Sequence, residues 1–70
     1  MKKVRIRKAE LIQTVWRIYG RDRVEFRRLY LPGVARPQLL VLVDDKIVAT
    51  WHLGYADWPD EWPKKAIKAR

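Results

Sequence analysis

Apolar and polar positions alternate in the opening segment KKVRIR, where Val4 and Ile6 are interleaved with Lys3, Arg5 and Arg7. A period of two is that of a strand, so this segment predicts one with an apolar face and a cationic face. The period then changes. In KAELIQTVWRIYG, Leu11, Ile12, Val15, Trp16 and Tyr19 fall on one helical stripe, while Lys8, Glu10, Gln13, Thr14 and Arg17 face outward. Gly20 stands where a helix C-terminus belongs, with Arg17 and Arg21 beside the negative end of the dipole.

RVEFRRLYL returns to a strand pattern, with Val24, Phe26 and Tyr30 on one face and Glu25, Arg27, Leu29 and Leu31 on the other. Arg28 breaks the apolar face, which calls for either a bulge near residues 27–28 or an edge position. PGVARP is a loop by its Pro and Gly and carries Arg36 outward. LLVLV is apolar on both faces, as a covered central strand is, and DDK makes a tight turn into IVATWHL.

A strand that is apolar on both sides needs two covers, and the helix supplies one. The remaining apolar mass is Tyr55, Trp58, Trp62 and Ile67, so the tail is expected to cross the opposite face. Asp57 with Trp-Pro-Asp-Glu predicts a capped helical turn, and Pro63 opens a terminal helix PKKAIKA. The expected fold is therefore a single α+β domain over residues 1–70. It has a small, mostly antiparallel sheet of three to four strands in the order β-α-β-β-β. One amphipathic helix lies on one face, and a Trp-rich tail ending in a short C-terminal helix lies on the other. The first crossover leaves room for the first two strands to be parallel neighbours.

Size sharpens this picture, because a chain of 70 residues hides only roughly 60 to 65% of its unfolded surface. With no cysteine and one histidine, neither disulfides nor a Cys/His zinc site staples it, and the eight aromatic residues are needed for folding. No apolar run reaches the roughly 18 residues of a spanning helix, so a soluble, cytoplasmic protein with no membrane partner is expected. The absence of Ser, Asn and Cys beside abundant charge fits a heat-adapted, thermophilic source.

The net charge of +8 is segregated along the chain. Residues 1–36 carry eleven Lys and Arg against Glu10, Asp22 and Glu25, residues 37–63 carry Lys46 against five acids, and the last seven residues add four cations. Clustered positive charge favours polyanions, because neutralised phosphates release condensed counterions. The candidate nucleic-acid-binding residues are Lys3, Arg5, Arg7, Arg21, Arg23, Arg27, Arg28 and Arg36, the strand residues lying together if the first two strands pair. Nothing among them specifies a base. Duplex DNA or structured RNA, read through its backbone, is the expected partner.

Catalysis has little support. There is no Ser or Cys nucleophile, no phosphate-binding glycine loop and no dinucleotide fingerprint, and His52 has no partner at a recognisable spacing. Asp57, Asp60 and Glu61 near His52 are read as caps and dipole partners before they are read as metal ligands. The expectation is a non-enzymatic protein with no cofactor and no metal. The competing expectation is a protein-interaction subunit, as a homodimer or within a larger complex, that docks through the Trp-rich acidic segment 51–62.

Overall fold

The computed structural model describes residues 2–62, which form an α+β fold of one helix packed on a five-stranded antiparallel sheet. In chain order the elements are β1 (Lys2–Arg5), α1 (Lys8–Tyr19), a single 3₁₀ turn (Arg21–Arg23), β2 (Val24–Leu29), β3 (Gln38–Val43), β4 (Lys46–His52) and β5 (Tyr55–Trp58). The spatial order is β1-β5-β4-β3-β2. Strands β2 to β5 are thus a meander, and β1 is added beyond β5. The first two strands are not neighbours but the two edges of the sheet. The 12 residues of α1, rising about 18 Å, carry the chain across the face between those edges.

The fifth strand is the element that the sequence pattern conceals. Tyr55 to Trp58 pairs with β4 through His52↔Tyr55 and Trp51↔Ala56, and with β1 through Val4↔Ala56 and Lys2↔Trp58. Asp57 consequently lies in a strand and not in a helical cap, and its carboxylate accepts a 3.0 Å hydrogen bond from the Thr50 hydroxyl. Beyond β5 the described chain makes only a turn, closed by the Trp62 N–H donating to the Pro59 carbonyl at 3.1 Å. The terminal helix expected after Pro63, and Ile67 within it, lie outside the described residues.

The pleat of β5 also corrects the expected second cover. Because Trp58 alternates with Asp57, it shares a face with Ala56, Val4 and Trp51, which is the face that α1 covers. Trp58 is 1% exposed and Trp62 4%, and both belong to one core with Ile6, Leu11, Val15, Leu39 and Val41. Trp62 meets Trp58 edge-on at 4.9 Å between centroids, and its Nε1–H donates to the Tyr19 hydroxyl at 3.0 Å. The indoles therefore thicken the helix layer, and among the described residues no element lies over the other face. On that face Leu42 is shielded within the sheet, flanked in register by Glu25 and Ile47.

Within α1 the buried stripe is rotated from the expected one. Leu11 and Val15 are fully buried as read, but Thr14, expected outside, is buried as well. Its hydroxyl donates to the Glu10 carbonyl at 2.7 Å, which satisfies the only buried polar side chain on the helix.

Arg28 sits in β2 without a bulge, opposite Leu39 in an uninterrupted register, so the edge position is what admits it. The bulge lies instead in β4, where Val41 pairs with Ala49 and Leu42 with Ile47, leaving Val48 out of step. The turn between β3 and β4 holds Asp44 at φ 52° and Asp45 at φ 69°, both left-handed, as a two-residue hairpin with the sheet's twist demands. Glycine adopts that backbone without the Cβ penalty. Asp45→Gly is expected to stabilise the protein by about 0.5 to 1 kcal/mol, seen as a rise of several degrees in the circular dichroism melt. A lower Tm would mean that the Asp45 side chain contributes more than its backbone costs.

Candidate nucleic-acid interface

Antiparallel order sorts the loops to two ends of the sheet. The C-termini of β1, β2 and β4 and the N-termini of β3 and β5 share one end, and the charges divide accordingly. Arg5 and Arg7 leave β1 there, Lys8 opens α1, Arg28 is near the end of β2, and Arg36 is in the following loop. The acids near this end are Glu10, in the first turn of α1, and Asp57, in β5 near His52, Leu53 and Tyr55. Asp22, Glu25, Asp44, Asp45, Asp60 and Glu61 belong to the opposite end or to the strand halves nearest it. The charge segregation read along the chain becomes a segregation along the strand axis.

The eight candidate residues divide in the same way. Lys3 and Arg5 are exposed on β1, with three strands between them and Arg27 and Arg28 on β2, so the ridge that required β1 and β2 to pair is not formed. The physical reason is that β5 takes the position beside β1. Arg21 and Arg23 are at the acidic end, and both are engaged. The Arg21 guanidinium lies 4.1 Å from the Trp16 ring centroid, and Arg23 Nη2 is 2.5 Å from Asp44 Oδ2. Hydrogen bonding from Arg23 holds the Asp44 carboxyl below its ordinary value. Arg27 pairs with Glu25 at 2.8 Å. Arg7, Arg28 and Arg36 gather at the cationic end, joined by Lys8, which the sequence reading placed only on the outer face of the helix.

Local sequence fixes the loop that brings Arg36 there. Leu31 to Val34 is a turn closed by the Val34 N–H donating to the Leu31 carbonyl at 3.2 Å, with Pro32 and then Gly33 at φ 78° in the positions a type II turn prefers. The Arg36 carbonyl meets His52 Nε2 at 3.2 Å, which ties the loop to the end of β4. Leu53 and Gly54, at φ 52° and 88°, turn β4 into β5, and the Gly54 carbonyl accepts from the Ile6 N–H at 2.9 Å. Trp51 Nε1 donates to the Ile6 carbonyl at 2.8 Å, so the first and fourth strands are locked together at this end.

Two hollows result. A cleft of about 270 Å³ is lined by Lys8, Arg28, Arg36, Pro37, Trp51 and Leu53. On the uncovered face a shallower depression of about 500 Å³ lies between Lys3, Gln38, Thr50, His52, Tyr55 and Asp57. Six exposed apolar or aromatic side chains also belong to the cationic end: Leu29, Tyr30, Leu31, Val34, Leu53 and Tyr55, with Tyr30 at 69%. His52 and Asp57 do not converge with Asp60 and Glu61, and among the described residues no three His, Cys, Asp or Glu side chains gather as a metal site. No helix among the described residues is long and apolar enough to cross a membrane. Compared with known proteins, the chain matches no family model, no curated protein and no solved structure.

Proposed function

We propose that this is a small non-enzymatic nucleic-acid-binding protein that grips the phosphate backbone of duplex DNA or structured RNA with the cationic end of its sheet. The observation that carries the reading is that Lys8, Arg28 and Arg36, from three separate chain segments, line one cleft whose wall contains no acid, with Arg5 and Arg7 exposed at the same end of the sheet. Cations held close together repel one another, and a polyanion relieves that repulsion while releasing its own counterions. Arginine adds planar, two-pronged donors suited to phosphate oxygens. Exposed Tyr30, Leu31 and Leu53 beside the cations supply apolar contact with sugars at the rim.

Docking through the Trp-rich segment 51–62 has less to stand on, because Trp58 and Trp62 are interior and Trp51 is half-buried with its N–H engaged. The test is a filter-binding titration of duplex DNA, duplex RNA and single strands at about 50 and 200 mM salt. Binding that weakens steeply with salt and depends little on sequence is the expected result. Absence of binding to all of them at the lower salt would overturn the proposal.

A further inference from the structure

We infer that the cleft between Lys8, Arg28 and Arg36 is a phosphomonoester site, which on the function proposed above receives the phosphorylated end of a nucleic-acid strand. Three observations carry this. The three cations come from the first turn of α1, the edge strand β2 and the loop before β3, and their side chains form no ion pair with any described residue. The cleft lining contains no acid. Arg28 occupies the core-facing side of β2, opposite Leu39, where an apolar residue would continue the face of Val24 and Phe26. The open edge of the sheet leaves the Arg28 side chain exposed there, so its guanidinium is free to face a ligand of opposite sign in the cleft.

The chemistry of the lining selects the ligand further. A phosphomonoester carries about −1.5 to −2 near neutral pH against −1 for a backbone diester, so three convergent cations favour the terminal group over internal phosphates. Arg28 and Arg36 offer paired donors and Lys8 a point charge. Trp51, Pro37 and Leu53 make the rest of the wall apolar, which suits the sugar or base next to the phosphate. At about 270 Å³ the cleft is at or just below the lower bound of ordinary ligand sites, about 300 Å³, so it takes one nucleotide unit and not a longer segment.

The test uses the full chain and one oligonucleotide sequence in three forms: with a 5′-phosphate, with a 3′-phosphate and with hydroxyls at both ends. A nucleoside monophosphate and inorganic phosphate are titrated in parallel, and binding is followed by fluorescence anisotropy and tryptophan emission. One phosphorylated form is expected to bind about tenfold tighter than the hydroxyl form, and Arg28→Gln with Arg36→Gln is expected to abolish that preference. An unchanged melting curve for the double variant separates a lost site from a lost fold. Equal affinity for all three forms of the oligonucleotide, with no response to the monophosphate, would overturn the site and leave the proposed function standing. Binding of the monophosphate without any oligonucleotide binding would keep the site and overturn the function.

Discussion

Trp58→Ala is expected to leave the chain largely unfolded at 37 °C. The side chain is 1% exposed, lies against Trp62, and belongs to the one core of the described residues. Truncating a buried Trp costs about 3 to 5 kcal/mol, from lost transfer energy and the cavity left behind. A chain of this length holds only about 4 to 10 kcal/mol in total. The loss also spreads, because Trp62 would lose its edge-on neighbour and the Trp62–Tyr19 hydrogen bond that ties the tail to α1. Trp58→Phe is expected to cost clearly less. It keeps an aromatic ring and deletes an indole N–H that has no acceptor among the described residues. Circular dichroism melts of the two variants check this, and a Trp58→Ala protein melting within a few degrees of the parent would contradict the buried position.

The second large effect concerns the cationic end. A variant with Arg5, Arg7, Arg28 and Arg36 all changed to alanine is expected to bind duplex DNA at least about a hundredfold more weakly near physiological salt. Its plot of log affinity against log salt should flatten by about three to four units, since each lost phosphate contact removes about 0.9. The comparison variant changes Arg21 and Lys46 to alanine at the opposite end and should shift that slope by less than about one unit. Equal flattening in both would mean that the polyanion is held by the overall charge and not by one end of the sheet. All four residues of the first variant are exposed, so its melting temperature should stay close to the parent's.

Much of the fold was legible because period and turn chemistry are local. Leu11 and Val15 at helical spacing, Gly20 after Tyr19, and the Asp44–Asp45 turn between apolar runs each mark an element without reference to the rest of the chain. β5 was obscured because Pro59 and the acids after it look like a helix start. The usable signal was the Leu53-Gly54 pair after an apolar run, followed by alternation of Tyr55 and Asp57 with Ala56 and Trp58. Strand neighbours are a different matter. Nothing in KKVRIR states which edge it joins, because an amphipathic strand fits beside β2 or β5 equally well by pattern.

The candidate site was legible to the same degree. Arg28 was marked by breaking the alternation of its own strand, and the structure attaches that break to the cleft. Lys8 was missed because helical spacing sorts residues by face, whereas its relevance comes from being first in the helix and so beside a loop some thirty residues away. Arg21, Arg23 and Arg27 have the same composition signal as the others. Only the register reveals that acids or an aromatic ring already occupy them.

The seam between β1 and β5 joins the second residue of the chain to the fifty-eighth. A growing chain on a ribosome therefore has nothing to zip residues 2–5 against until residues 55–58 have emerged, and loop closure of that span makes this pairing slow beside the local hairpins. Deleting residues 2–5 or residues 55–58 would unravel the same border of the sheet.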